Sequence, residues 1–222
     1  MAPQASHESL HRALVERMAA ELRPVRRLWP VPARLALWIA LEGAVLLLLI
    51  LHSARTDLAE QLRNPWFVLC ISGFAVTGAA SAALALRAAI PGREPAGKQL
   101  TLVVCLAIAS AVPLLLVPVD ARQPLGSFVA RGLPCLIGIA MSALVPWLAL
   151  LWAVRRAAPM RGGLEGALIG AAAFLFSFAL LRIRCPIEEE MHLLVWHLLP
   201  ALAGIGLSAW LGVALLKRPL RR

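Results

Sequence analysis

Hydrophobic residues along this chain form six long runs that short polar connections separate. Apolar and polar positions do not alternate within a run, so the pattern predicts α-helices and not β-strands. Most runs approach or exceed the ~20 residues that a helix needs to cross a bilayer, where every backbone group must be paired internally. The pattern therefore predicts an all-α integral membrane protein whose six transmembrane helices form a compact bundle. The predicted spans are residues 34–51, 66–90, 100–118, 133–154, 163–181 and 191–216.

Composition agrees with this class and divides the chain into three regions. The 222 residues are 60% hydrophobic, with a mean hydropathy of +0.79, which is too apolar for a soluble domain. We assign residues 1–33 to an N-terminal segment, 34–216 to the transmembrane domain and 217–222 to a basic tail. The polar, basic start has no signal-peptide pattern, so we expect the first span to be retained.

The basic residues predict an orientation. Of the 22 Lys and Arg residues, fourteen fall in the N-terminal segment, the second and fourth connections and the tail, and Arg34 and Arg87 at the adjoining span ends bring the total for this face to sixteen. The positive-inside rule therefore predicts that both termini are cytoplasmic and that the connection before the sixth span faces outside, which in a bacterium means the periplasm. We attribute the net charge of +10 to these clusters, which lie near lipid headgroups, and not to direct nucleic-acid binding.

The N-terminal segment contains a predicted short amphipathic helix over residues 6–23. Leu10, Leu14, Met18 and Leu22 recur every four residues and form an apolar stripe. Such a helix can lie on the inner membrane surface or dock into a groove on a cytosolic partner. The acidic residues on its other faces favour a partner, because anionic lipid would repel them.

Side chains that could bind a metal ion are concentrated in one stretch, RCPIEEEMHLLVWH, residues 184–197. Cys185 precedes the sixth span and Cys135 opens the fourth, so both are predicted at helix N-termini, where the helix dipole favours thiolate. Further candidate ligands in this stretch are Glu188, Glu189, His192 and His197. Thiolate and imidazole together favour transient binding of a soft or borderline ion such as copper, zinc or cadmium.

Three interpretations of the cysteine pair remain open. Cys135 and Cys185 can be a metal- or oxidant-responsive thiol pair, a structural disulfide in an oxidising compartment, or two inert thiols. His197, taken alone, is more typical of a packed histidine than of a ligand.

Three other polar or sulfur-containing residues are predicted to be structural. Cys70 and Cys105 are interpreted as small core residues. Glu42 lies near the middle of the first span, where a carboxylate is expensive. We expect it to be a buried, hydrogen-bonded acid and not part of a proton path.

Several stretches of the sequence resemble the NrsF family of six-span membrane anti-sigma factors, named as negative regulators of sigma F. They are ELRPVRRLWPVPARLALW (21–38), ALRAAIPGR (85–93), PCLIGIAMSALVPWLALLWAVRRAAP (134–159) and the set Cys185, Pro186, Trp196 and His197. The resemblance implies that an extracytoplasmic-function sigma factor is held at the bacterial inner membrane, and that Cys135 and Cys185 sense heavy metals. Arg184 departs from the family, which often has histidine there. If that histidine is a ligand, either His192 replaces it here or the site differs.

These observations give one functional hypothesis and one alternative. In the first, the N-terminal segment binds the sigma factor and releases it when metal or oxidant joins the two cysteines. The proposed binding residues are Leu10, Leu14, Met18, Leu22, Arg23, Arg26 and Arg27. The alternative is a small six-span transporter for metal ions, which would need a midplane site and repeated halves. We do not expect an enzyme, because no nucleophile–base pair has a recognisable spacing.

Overall fold

A computed structural model describes residues 4–20, 27–116 and 124–216 of the chain. Over these residues the structure contains helices and no β-strand. Six helical segments are long and apolar enough to cross a membrane. This confirms the predicted all-α class with six spans.

The helices follow one another with short connections. They are α1 (Gln4–Ala20), α2 (Val31–Ser53), α3 (Leu58–Gln61), α4 (Pro65–Ala88), α5 (Gly97–Ala111), α6 (Leu125–Arg155), α7 (Gly162–Arg184), α8 (Glu190–Leu193) and α9 (Leu199–Leu215). A 3₁₀ turn, Val112–Leu116, extends α5, and a π-helical turn, Leu194–Leu198, joins α8 to α9. The spans are thus α2, α4, α5 with its 3₁₀ turn, α6, α7, and α8 to α9 as one segment.

Helix α6 differs most from its prediction. It begins at Leu125 instead of residue 133 and continues for 31 residues. At 1.5 Å per residue it is about 46 Å long, which exceeds the ~30 Å hydrocarbon core. Pro134 lies inside this helix and not at its start. The prediction that Cys135 opens the span is therefore wrong, because Cys135 is the eleventh residue of α6.

Helix α7 lies at the centre of the bundle. In its most apolar stretch 72% of residues are buried, against 44% or less in the other five spans. Gly162, Gly166 and Gly170 recur every four residues along α7 and pack directly on Ser208 and Gly212 of α9. A Cβ atom on Gly166 would come 2.9 Å from Cα of Gly212, and one on Gly170 would come 2.7 Å from Cβ of Ser208. Small residues thus allow these two helices to approach closely, as their spacing indicates.

Hydrogen bonds identify the two ends of the bundle. In the first turn of α2, Arg34 donates to the carbonyls of Ala153 on α6 and Leu86 on α4, at 3.4 and 3.5 Å. We call this the terminal end, because α2 starts and α9 finishes there. After α2, the backbone N–H of Arg55 donates to the carbonyl of Ile183 near the end of α7, at 3.2 Å. We call this the cysteine end.

The N-terminal helix forms over the described part of the range in which the sequence predicts it. It runs from Gln4 to Ala20, and Leu10, Leu14 and Met18 are 72%, 54% and 62% exposed. The described part of its apolar stripe is therefore uncovered. The remaining predicted binding residues Leu22, Arg23 and Arg26 lie outside the described residues.

Two structural predictions inside the spans need correction. Cys70 is buried as expected, but Cys105 is exposed on its span and does not belong to the core. Glu42 is completely buried, yet neither carboxylate oxygen has a hydrogen-bond partner among the described residues. The described residues thus do not supply the hydrogen bond that we expected for Glu42.

Candidate functional site

Four of the predicted site residues converge at the cysteine end. One ligand atom from each of Cys135, Cys185, His192 and His197 lies within 4.8 Å of the others. The two Sγ atoms are 3.6 Å apart, and each is 3.5 Å from Nε2 of His192. We call these four residues the Cys–His cluster.

Three spans supply the cluster. Cys135 comes from the third turn of α6, Cys185 follows directly after α7, and the two histidines precede α9. Residues separated by up to 62 positions in sequence thus meet where the three helices end or begin. The cluster can therefore respond to the relative positions of α6, α7 and the last span.

The predicted helix-dipole activation of Cys185 is wrong. Its N–H donates to the carbonyl of Leu181 at 2.8 Å, which makes Cys185 the C-terminal cap of α7. The next helix begins at Glu190 and not at Pro186. A helix C-terminus disfavours negative charge, so the dipole does not explain a thiolate here. Instead, the hydrogen bond with the Cys135 thiol, followed by the interactions with His192 and His197, lowers the pKa of Cys185.

A π-helical turn brings the two histidines together. Residues five positions apart on a regular α-helix point about 140° away from each other. The π turn at Leu194–Leu198 widens the helix between His192 and His197, and their ring centroids lie 5.3 Å apart. Turns of this kind are rare and are found frequently at functional sites. This feature places His197 in the cluster.

The donors fit a metal ion in their chemistry and in their spacing. Sulfur ligands at 2.3 Å in tetrahedral geometry lie about 3.8 Å apart, and a sulfur and an imidazole nitrogen lie about 3.6 Å apart. The observed separations of 3.6 and 3.5 Å are close to both values. Two thiolates and two imidazoles are a donor set that suits zinc and other soft or borderline ions.

The burial of His197 and its ring nitrogens, unpaired among the described residues, also support a metal-binding role for the cluster. Its side chain is fully buried, and neither ring nitrogen has a hydrogen-bond partner among the described residues. Buried polar groups in native proteins are nearly always paired, because an unpaired one costs free energy. His197 also packs edge-on against Phe178 at 5.9 Å, so it is both a packed residue and a potential ligand.

The structure places the two predicted glutamates outside the cluster. Glu188 accepts hydrogen bonds from Arg55 and from Nη1 of Arg182, the latter at 2.8 Å. Arg55 also donates to both carboxylate oxygens of Asp57, from Nε at 2.6 Å and from Nη2 at 2.8 Å. Glu189 lies 3.8 Å from Nη1 of Arg131. We call Arg55, Asp57, Arg182 and Glu188 the arginine–carboxylate network.

Sequence reasoning missed the two arginines of this network. Arg55 and Arg182 are almost completely buried, and both guanidinium groups lie over the ring of Phe67, at 5.7 and 5.0 Å. A usable signal was the position of Arg182 inside the apolar run of α7, since ionisable residues in spans are usually paired. The hydrogen bond from Arg55 lowers the pKa of Asp57 to about 2.

Apolar side chains surround the cluster. Ile139 and Leu181 are buried against the two cysteines, and Trp196 packs beside them. A Cβ atom on Gly132 would overlap the Trp196 ring, so glycine is needed there for the ring to lie so close. Phe128 flanks the same ring at 5.6 Å. This shell limits water and lipid access to the sulfur atoms.

Comparison with known proteins places the whole arrangement in a family. Searches of curated proteins and of solved structures gave no match to this chain. The family model described as NrsF, negative regulator of sigma F, matches residues 18–218. The match covers all six spans and the cluster, and it starts after Leu10 and Leu14. The chain therefore belongs to the NrsF family of negative regulators of sigma F.

Proposed function

We propose that this protein is an anti-sigma factor of the bacterial inner membrane, with both termini in the cytoplasm. Its N-terminal segment sequesters an extracytoplasmic-function sigma factor, and metal binding to the Cys–His cluster in the periplasm releases it. The observation that carries the proposal is the convergence of four soft or borderline donors at the cysteine end, opposite the end that carries the N-terminal segment. Family membership supplies the regulatory role and a sigma factor as partner.

The exposed stripe on α1 supports its role as the binding segment. Leu10, Leu14 and Met18 project from a helix that has no described apolar cover. A stripe of this kind on a short helix is stabilised when it docks into a partner's groove. Leu22, Arg23, Arg26 and Arg27, which follow in the sequence, complete the set of proposed binding residues.

Metal is the trigger that the cluster geometry favours. None of the four cysteines is joined in a disulfide in the structure, and the Sγ atoms of Cys135 and Cys185 have a separation close to that of two thiolates around a bound ion. Oxidation is the second trigger to test. A disulfide or peroxide oxidant would take two electrons and the two thiol protons would be lost as the Sγ atoms of Cys135 and Cys185 join.

Contacts at the terminal end provide a mechanical connection to the N-terminal segment. An ion that fixes Cys135 would change how α6 sits against its neighbours. At the other end of α6, the carbonyl of Pro146 accepts from Nε1 of Trp38 at 3.1 Å, and the carbonyl of Ala153 accepts from Arg34. Both donors are on α2, which directly follows the N-terminal segment. A shift of α6 is thereby transmitted to the binding segment.

The free energy of metal binding is sufficient for this switch. Moving a two-state equilibrium from 1:99 to 99:1 needs about 5.5 kcal/mol of differential affinity. Structural zinc sites supply roughly 10–16 kcal/mol. A surface ion pair supplies ~0–1 kcal/mol, so the pair between Glu189 and Arg131 is an inadequate trigger.

A metal-ion transporter is the second candidate, and Glu42 is the observation that favours it. The carboxyl group is fully buried inside the first span and has no described partner. Transport would require that the reconstituted protein move metal across vesicles. If it does so and the Glu42→Gln variant does not, the regulatory proposal is replaced.

The regulatory proposal is tested by sigma-factor capture with the full-length protein in membranes. Wild type and a Cys70→Ser, Cys105→Ser control should hold the sigma factor and release it when zinc, copper or cadmium is added. The Cys135→Ser, Cys185→Ser variant should hold it in both conditions. Normal release by that variant would place the trigger elsewhere, and absence of capture by wild type would reject the anti-sigma assignment for this chain.

A further inference from the structure

A second candidate site lies at the terminal end, far from the Cys–His cluster. It is a groove of about 790 Å³ between α2, α6 and the start of the connection after α4. Arg27, Arg34 and Arg156 line it, and none of its lining residues is acidic. In the described part of the chain, none of these three arginines forms an ion pair. Among the described residues, the groove therefore carries three positive charges and no negative one.

The arginines occupy one end of the groove and leave the rest apolar. Arg156 lies 4.6 Å above the ring of Trp152, and the Nη atoms of Arg34 make only long hydrogen bonds, at 3.4 and 3.5 Å. Leu37 and Leu41 continue the lining along α2 away from the charges. A ligand that matches this surface carries an anionic group at one end and an apolar chain.

The depth of the groove corresponds to one leaflet of a bilayer. Leu41 lies ten residues beyond Val31, the first residue of α2, so it is about 15 Å along the helix axis. That distance is half of the ~30 Å hydrocarbon thickness. Trp29 and Trp152 flank the charged end, and tryptophan is enriched at the level of the lipid headgroups.

We propose that this groove binds one anionic phospholipid. Its phosphate lies among Arg27, Arg34 and Arg156, and one acyl chain follows Leu37 and Leu41. A helix of a soluble partner would have to enter hydrocarbon to contact Leu41, whereas a lipid chain is already there. The binding site does not depend on the anti-sigma proposal, which decides only that the lipid belongs to the inner leaflet.

The first test measures lipid adducts by native mass spectrometry on the full-length protein in detergent. Phosphatidylglycerol should bind more tightly than phosphatidylcholine. Because a basic residue near an anionic surface contributes ~1 kcal/mol, an Arg27→Gln, Arg156→Gln variant should weaken phosphatidylglycerol binding by about tenfold or more. Arg87→Gln, Arg155→Gln is the matched control, since these two exposed arginines at the same end do not line the groove.

A second variant tests the apolar part independently of charge. Leu41→Trp fills the deep part of the groove and should reduce the same adduct, while Leu48→Trp, on the exposed face of α2, should not. Equal binding of the two lipids, unchanged adducts in the groove variants, or displacement by inorganic phosphate alone would overturn the proposal. Loss of sigma-factor capture with unchanged lipid adducts would also overturn it, because the groove would then be a protein-docking site.

Discussion

The imidazole rings of His192 and His197 meet edge to face, with their centroids 5.3 Å apart, because the helix between them makes a π turn. On a regular α-helix a spacing of four residues, and not five, brings two side chains onto one face. The wider π turn accommodates the fifth residue, so that the two imidazoles still lie on one side of the helix. The arrangement of the donors depends on backbone geometry as much as on which residues are present.

The π turn gives a prediction about spacing. Inserting one alanine after Val195 places the two imidazoles about 120° apart on a regular helix, so metal binding should be lost. Deleting Val195 reduces the spacing to four, which suits an α-helix, so binding should persist. Absorption of cobalt(II) bound to the purified protein, which reports tetrahedral thiolate coordination, distinguishes the two. Equal binding by both variants would show that His197 is not a ligand.

The arginine–carboxylate network is predicted to stabilise the fold without holding the ion. Glu188→Gln leaves the nearly buried guanidinium groups of Arg55 and Arg182 without their shared carboxylate. We expect a loss of about 2–4 kcal/mol in the free energy of unfolding, while the metal stoichiometry is unchanged. Denaturant unfolding in detergent measures the first quantity and metal titration the second.

Glu189→Gln is the matched control for this experiment. Its carboxylate lies 3.8 Å from a half-exposed Arg131, so its removal should change stability by less than about 1 kcal/mol. Loss of bound metal in either variant would contradict the placement of the glutamates outside the cluster.

A pH dependence follows from Asp57. The hydrogen bond from Arg55 lowers its pKa from 3.8 to about 2 in the folded protein. A lowered carboxyl pKa contributes stability above the unfolded value, and this contribution disappears as the pH falls from about 4 to 2. The Asp57→Asn variant should therefore show a smaller change in melting temperature between pH 5 and pH 2.5 than wild type does. An identical change in both proteins would count against the network geometry.

The close contact between α7 and α9 predicts that replacing a glycine inside the contact destabilises the protein far more than replacing one outside it. Gly166→Leu would force the two backbones apart and should lower stability by about 1–3 kcal/mol or more. Gly206→Leu, on α9, meets nothing within 4 Å and should change stability little. Thermal unfolding in the same detergent compares them, and similar losses at both positions would reject the close packing.

The spans were predictable because continuous apolar runs leave no alternative to membrane helices. The start of α6 could not be predicted, because Pro134 suggested a helix start and the preceding residues 125–132 include a charged residue and two glycines. The proximity of Cys135 and Cys185 could be predicted, because the sequence places both at the same end of the bundle. His197 was among the candidate ligands, but its position beside His192 could not be predicted, because a spacing of five matches no helical period and the π turn has no sequence signature.

The enclosure of α7 by its neighbours separates this helix from the lipid. Changes in bilayer thickness or fluidity act first on the outer spans, which contact acyl chains directly, whereas α7 is held by protein on most sides. Cys185 lies at the end of this enclosed helix, which is about 35 Å long, so the position of its sulfur atom depends mainly on contacts within the protein. Under the proposed function, the metal concentration that triggers release should therefore depend little on growth temperature or lipid supply.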